Sequence, residues 1–187
     1  MSEDMIVGFI GAGNMAEAII RGLTGAGKNP ETILVSDVRS ERLELLAALG
    51  VAAFPSNLQV ASRSEVLVLA VKPQVMPGIL PELAEAVDEE TLIITIAAGV
   101  PTAVIEAAFS VPVRVVRVMP NTPLLAGMGM SAVVRGSNTR EDDLDIVEEM
   151  FAASGRVVRL NDEKLMDAVT AVSGSGPAYL FYVAEAM

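Results

Sequence analysis

Residues 6–19 read IVGFIGAGNMAEAI, and the fold turns on how this stretch is interpreted. Met5–Ile10 is a short apolar run of strand length, and Asn14–Gly25 carries apolar residues at helical spacing. Between them, Gly11-Ala12-Gly13-Asn14-Met15-Ala16 fits the pattern G-x-G-x-x-G/A, directly after the strand and at the start of the helix. Each small residue has a physical reason. Gly11 permits a tight turn, Gly13 lets the backbone come close to a pyrophosphate, and Ala16 allows the helix to pack on the strand. Unpaired amides at the helix start, together with the helix dipole, attract an anion. A purely structural turn produces the same triplet. Here the strand, turn, helix and a second strand are all in place, which favours dinucleotide binding.

The same alternation continues outward. Further apolar runs lie at Ile33–Val35, Glu65–Val71, Leu92–Ile96 and Val113–Met119, separated by helical patterns at Glu41–Leu49, Pro73–Val87 and Thr102–Ala108. Gly50 stands where a left-handed residue closes the second helix. Repeated strand–helix–strand units imply a parallel sheet with right-handed crossovers. Beyond Pro123, Met128–Arg135 reads as a strand, Arg140–Ala153 as a charged amphipathic helix and Gly155–Leu160 as a last strand. Asn161–Asp162 marks a boundary, and Glu163 onward is helical in pattern. The expected fold is α/β, a Rossmann-like doubly wound and mainly parallel sheet over residues 1–162. Residues 163–187 then form the first helices of a truncated all-α domain.

Composition agrees. Of the 187 residues, 52% are hydrophobic but only 4% aromatic, as expected of a sheet built from Val, Leu, Ile, Ala and Met and covered on both faces. The net charge of −11 argues against nucleic acid or anionic lipid as partners. There is no cysteine and no histidine, which removes disulfides, thiolate metal sites, most zinc sites and the imidazole base of a hydrolytic triad. No metal is expected. The opening MSEDMIVGFIG has no basic segment before its apolar run, so it does not read as a signal peptide. The uncharged segment Val118 to Val134 contains Pro120, Asn121, Pro123 and two glycines and cannot be a membrane helix. A soluble, cytoplasmic protein is expected.

In a doubly wound sheet, ligands bind outside the carboxyl ends of the strands. Asp37 follows the second strand, where a carboxylate accepts hydrogen bonds from an adenosine ribose and favours NADH. Arg39 and Ser40 come next and suit a 2′-phosphate, favouring NADPH. Asp37 and Ser40 also suit a plain helix cap. Lys72, in Ala70-Val71-Lys72-Pro73, is a lone cation at the end of an apolar run, either a cofactor contact or an ordinary surface lysine. Ala97-Ala98-Gly99 ends the next strand with side chains too small to block a flat ring. In Met119-Pro120-Asn121-Thr122-Pro123, two prolines hold the Asn121 amide and Thr122 hydroxyl in place, for a site or simply for a rigid turn. Asn57, in PSNLQV, reads from its neighbours as a helix N-cap.

The segments GFIGAGNMA, LAVKPQ, AAGV, RVMPNTP and DAVTAVSGSGPAY, in this order from Met5 to Met187, resemble the pyrroline-5-carboxylate reductase family. The resemblance implies hydride transfer from NADPH or NADH to the C=N carbon of a five-membered cyclic imine that carries a carboxylate, the closing step of proline biosynthesis. It implies cofactor contacts at Ile10, Gly11, Ala12, Gly13, Asn14, Met15, Asp37, Asn57, Ala70, Val71, Lys72, Pro73, Ala97, Ala98 and Gly99. Such chemistry suits a chain without histidine, because an imine is already electrophilic and the cofactor carries the hydride. No residue is assigned as the proton donor.

Ser173-Gly174-Ser175-Gly176-Pro177 reads as a helix start. Pro177 fits the first turn, and Ser175 and Gly176 sit at the cap with outward amides and a hydroxyl. A capped structural helix accounts for this. So does an anion site, to which the resemblance assigns the substrate carboxylate, with Asn121 beside it. The following helix is nearly all apolar from Ala178 to Ala184 and expects burial against other helices. Members of the family continue through a helical domain that forms an intertwined homodimer or higher homo-oligomer and contributes to the substrate pocket. These 187 residues are therefore expected to hold the cofactor and only part of that pocket. Two other classes share the glycine loop: a related Rossmann oxidoreductase, and a non-catalytic dinucleotide-binding module. A serine hydrolase is dismissed, since Ser175 has no G-x-S-x-G frame.

Overall fold

The computed structural model describes Ser2 and residues 4–187 of the chain. Eight strands form one sheet: β1 (Val7–Ile10), β2 (Ile33–Ser36), β3 (Ala52–Phe54), β4 (Val66–Leu69), β5 (Leu92–Thr95), β6 (Arg114–Met119), β7 (Gly129–Arg135) and β8 (Gly155–Arg159), in the order β3-β2-β1-β4-β5-β6-β7-β8. All neighbours are parallel except β6 and β7, which are antiparallel. This is the expected Rossmann-like sheet, and its strand order reverses between β1 and β4.

The helices are α1 (Asn14–Gly25), α2 (Ser40–Ala47), α3 (Asn57–Ala61), α4 (Met76–Leu83), α5 (Thr102–Glu106), α6 (Glu141–Ala152), α7 (Leu165–Val169) and α8 (Gly176–Ala186). Alternate residues of the central strands serve opposite faces, as the two-residue period of a strand requires. Val7, Phe9, Val35, Val66, Val68 and Ile94 pack with Ile19, Leu23, Val147 and Phe151 of α1 and α6. Ile10, Leu34, Leu67, Leu69, Ile93 and Val115 pack with Val60, Ile79, Leu83 and Ile105 of α3, α4 and α5. Gly8 belongs to this second face, where a Cβ would lie 2.7 Å from Val60 Cγ1 and 2.0 Å from Ser64 Oγ. The glycine in the middle of the first strand is thus what lets α3 approach the sheet.

Several boundaries differ from the sequence reading. The helix expected at Pro73–Val87 spans only Met76–Leu83, and the one expected at Thr102–Ala108 stops at Glu106. Residues 73–75 form turns ahead of α4, and Pro81 lacks an amide to continue the hydrogen-bond ladder inside it. β3, three residues long, was not anticipated, and of α3, five residues long, the sequence marks only the cap; both are too short to show a period. Gly50 does take a left-handed conformation, with φ +88°.

The largest departure lies at the C-terminal motif. α8 does begin at Gly176, with Ser175 at the cap position and Pro177 in its first turn, but it is not a free start, because α7 runs through a π-helical turn over Thr170–Gly174 straight into it. The Ser175 amide donates to the Thr170 carbonyl at 2.9 Å and is not free. Ser175 has helical φ/ψ, and its side chain makes no cap bond. The physical reason is packing. A Cβ on Gly174 would lie 2.7 Å from Met119 Cε, so the turn presses on the end of β6, and Pro177 has no N–H with which to resume a regular ladder at once.

A polar cluster pins the start of residues 163–187 to the sheet. Arg117, on β6 and 4% exposed, donates to Glu163 Oε1 at 3.0 Å. Glu163 also accepts from the Thr102 amide and hydroxyl, both at 2.9 Å. Beside this, Met166 is fully buried against Ala132 and Val134. α8 by contrast is exposed along its length, with Tyr179, Leu180, Phe181 and Tyr182 all more than half accessible.

Candidate functional site

The glycine loop is held by β2 and α2. Gly11, with φ +101°, turns the chain where a Cβ would sit 3.0 Å from the Ala70 carbonyl, so the turn and the contact with the end of β4 both require glycine. The Gly11 amide donates to the Ser36 carbonyl at 2.8 Å. The Ala12 amide donates to Asp37 Oδ2 at 2.8 Å, and the Ala12 carbonyl accepts from Arg42 Nε at 2.6 Å. The Ala12 side chain is buried, as is that of Ile10. These two residues therefore shape the loop from within. The Gly13 and Asn14 amides have no partner among the described residues, and a Cβ on Gly13 would meet nothing within 4 Å. They stand at the N-terminus of a twelve-residue helix, the geometry that binds a phosphate.

These residues open onto a cleft of about 410 Å³ lined by Gly11, Gly13, Asp37, Asn57, Ala70 and Lys72, with Val38, Val71, Val75 and Ile79 supplying apolar wall. It lies at the β1/β4 switch point, where open α/β sheets bind ligands. Lys72 is exposed at its edge. Met15 stands in the first turn of α1, and Pro73 follows Lys72. Ala97, Ala98 and Gly99 follow β5, one strand further along the same edge, and do not line this cleft.

Asp37 is the electrostatic centre. Its Oδ1 accepts from the Arg39 amide at 2.9 Å and from Arg39 Nε at 3.0 Å. Burial by itself raises its carboxyl pKa, but the bonds from the Arg39 side chain and the Ala12 and Arg39 amides outweigh that and hold it below the ordinary value. Asp37 is therefore ionised at neutral pH. Ser40 is the first helical residue of α2, with Arg39 at the cap position and no side-chain cap bond, so neither serine nor aspartate caps this helix.

Asn57 is also not the cap expected from PSNLQV. Ser56 takes that place, accepting from the Gln59 amide. Asn57 instead faces the cleft, accepting from Ser36 Oγ at 2.8 Å and donating to Glu82 Oε2 at 3.1 Å. At the end of β6, Asn121 Oδ1 accepts from the Met130 amide at 2.9 Å and Nδ2 donates to Ser173 Oγ at 3.2 Å. Asn121 thus ties the MPNTP loop to the π-helical turn, and Ser175 and Gly176, which follow that turn in the chain, are partly buried. Arg42, Ser36, Glu82, Ser173 and Glu163 carry this arrangement, and sequence reasoning singled out none of them as site residues. Except for Ser173, which opens the Ser-Gly-Ser-Gly-Pro motif, no local motif marks them, because each acts on a partner distant in the chain. Among the described residues, no cluster of acidic or other ligating side chains is arranged to hold a metal ion.

The fold and the cleft define a dinucleotide-binding domain of the Rossmann type: two free amides at a helix start and a nearby lysine suit a pyrophosphate, and the carboxylate at the end of β2 suits the hydroxyls of a ribose. Residues 6–99 match the family model described as NADP oxidoreductase, coenzyme F420-dependent, and residues 163–187 match that described as pyrroline-5-carboxylate reductase dimerisation. The chain belongs to the pyrroline-5-carboxylate reductase family. It is 43% identical to the pyrroline-5-carboxylate reductase of Haemophilus influenzae over 185 residues, 99% of this chain and 68% of that one. The structure of a pyrroline-5-carboxylate reductase from Coxiella burnetii superposes with a TM-score of 0.92 at 34% identity, covering 98% of this chain and 68% of the other. That of the Plasmodium falciparum pyrroline carboxylate reductase with NADP bound gives 0.87 at 28% identity, covering 100% and 68%. The chain thus spans about two thirds of the length of these relatives. No helix among the described residues is long and apolar enough to cross a membrane.

Proposed function

We propose that the chain is an NAD(P)H-dependent reductase that converts 1-pyrroline-5-carboxylate to proline, with the cofactor lying across the Gly11–Gly13 loop. The observation that carries the reading is the pair of free amides at Gly13 and Asn14, opening on the cleft between Asp37 and Lys72 in a chain of this family. When bound, the cofactor supplies a hydride to the imine carbon. The protein's own part is to hold and orient. Gly13 and Asn14 amides, with Lys72, take the phosphates. Met15, at the helix start, and Pro73, after Lys72, frame that contact. Asp37 and Asn57 face the adenosine ribose, and Ala97, Ala98 and Gly99 leave flat space further along the strand ends. Ser175 and Gly176 hold the substrate carboxylate, and Asn121 positions them through Ser173. Residues 163–187 act as the opening of a helical region through which two copies associate, a reading supported by the match to the dimerisation family and by the exposed apolar surface of α8.

Binding of NADH or NADPH to this chain, followed by oxidation of the bound cofactor and formation of proline when 1-pyrroline-5-carboxylate is added, is the expected result. A chain that binds neither cofactor overturns the reading. The same titrations address cofactor choice. Asp37 places a fixed negative charge where a 2′-phosphate would lie and neutralises Arg39, so NADH is expected to bind more tightly. Asp37→Ser releases Arg39 and should shift the NADPH:NADH affinity ratio about tenfold or more toward NADPH, roughly one charge–charge interaction near a protein surface. An unchanged ratio would remove Asp37 from the ribose site.

A further inference from the structure

We infer that Arg42 is a positioning residue for the dinucleotide, acting through the peptide that joins Ala12 to Gly13. The inference rests on the reading that the glycine loop holds the cofactor's phosphates, and it concerns what aims the loop.

Arg42 sits in the first turn of α2. Its Nε donates to the Ala12 carbonyl at 2.6 Å and Nη2 donates to Glu17 Oε2 at 2.8 Å, with both side chains largely buried at 17% and 18% exposure. Glu17, in the first turn of α1, also accepts from Arg21 Nε at 2.9 Å. Burial raises the Glu17 carboxyl pKa, but the hydrogen bonds from Arg21 and Arg42 outweigh it and keep the group below its ordinary value. The Arg42 guanidinium is therefore anchored on one side by an ionised carboxylate and presents the other to the loop.

The consequence follows from peptide geometry. No cis bond occurs in the described chain, so the Ala12 carbonyl and the Gly13 N–H belong to one planar trans unit and point in opposite directions. Holding the carbonyl toward α2 turns the Gly13 N–H away from α2. Gly13 lines the cleft and its amide has no protein partner. The two preceding amides are held as well, Gly11 by the Ser36 carbonyl and Ala12 by Asp37. β2 and its following turn thus fix the first two peptides of the loop, and Arg42 fixes the third. A glycine-rich backbone has more freedom than any other, so an external clamp is what leaves it a single direction before the ligand arrives. Arg42 does this without meeting the phosphate as a charge, because Glu17 offsets it.

The test compares wild type with Arg42→Gln, Arg42→Lys and Glu17→Gln in the same chain, titrated with NADH and with adenosine, which has no phosphate. Arg42→Gln should weaken NADH about tenfold or more, the scale of a lost charge-assisted hydrogen bond. It should leave adenosine affinity unchanged and shift the Gly13 amide resonance of the ligand-free protein. Arg42→Lys should recover part of the affinity, since an ammonium keeps one donor for the Ala12 carbonyl. Glu17→Gln discriminates further. It removes a negative charge, so a purely electrostatic role for Arg42 predicts tighter NADH binding, whereas positioning predicts weaker binding. Unchanged NADH affinity in Arg42→Gln, equal loss for adenosine, or tighter binding in Glu17→Gln would overturn the inference. Failure of the wild-type chain to bind NADH would instead overturn the cofactor reading, which keeps the two failures apart.

Discussion

Gly13→Val is expected to raise the Kd for NADH and NADPH at least about 100-fold, roughly 2.7 kcal/mol, while the protein stays folded. The backbone at Gly13 has φ −71° and ψ 176°, a conformation open to any residue, and a Cβ there meets no protein atom within 4 Å. The fold therefore tolerates the side chain. Stability should fall by less than about 1 kcal/mol, the loss associated with a poorer N-cap residue. The new methyl groups instead occupy the space in front of the Gly13 and Asn14 amides, where the pyrophosphate has to come. Gly11→Ala makes the contrast. At φ +101°, with the Ala70 carbonyl 3.0 Å from the added Cβ, it should cost about 1–3 kcal/mol of folding stability. Urea denaturation and fluorescence titration of the two variants read stability and binding separately. Wild-type affinity in Gly13→Val would show that no ligand approaches this backbone.

Arg117→Met should destabilise the protein by about 2–3 kcal/mol at neutral pH, somewhat below the usual cost of breaking a buried pair because Glu163 is 27% exposed. Methionine fills the space left in β6, so the loss reports the ion pair and its anchoring of α7. The pH dependence gives the sign. Burial raises the Glu163 pKa, but bonds from the Thr102 amide, Arg117 and the Thr102 hydroxyl outweigh it and place the folded value below the ordinary 4.5. The stabilisation is present above 4.5 and disappears as pH falls through the lowered folded value. The difference between wild type and Arg117→Met should accordingly be full at pH 7 and shrink below 4.5. A difference that persists unchanged in acid would mean that the variant disturbs packing and not the pair.

Both experiments probe features of different legibility. The strand–turn–helix around Gly11 and Gly13 was readable because every residue that makes it lies within about one helical turn of the next. β3 is not legible in the sequence and α3 is legible only through its cap, because three and five residues are too few to show a period. The motif at Ser173–Pro177 was noticed, but as a free helix start. Proline and glycine signal an interruption without saying whether a preceding helix runs into it, and the structure has a π turn lying against Met119 that joins α7 to α8.

The sequence by itself determined the sheet's alternating units, the turn at Gly11, the open approach at Gly13 and the carboxylate at the end of β2, all set by residues near one another in the chain. Only the tertiary structure decided what holds these parts in register. Asn57 meets Glu82 across 25 residues, Arg42 meets Ala12 across 30, Asn121 meets Ser173 across 52 and Glu163 meets Thr102 across 61. Which distant polar groups meet depends on strand order and on the seating of each helix on the sheet. Those follow from burying the whole apolar surface at once, and no local pattern records them.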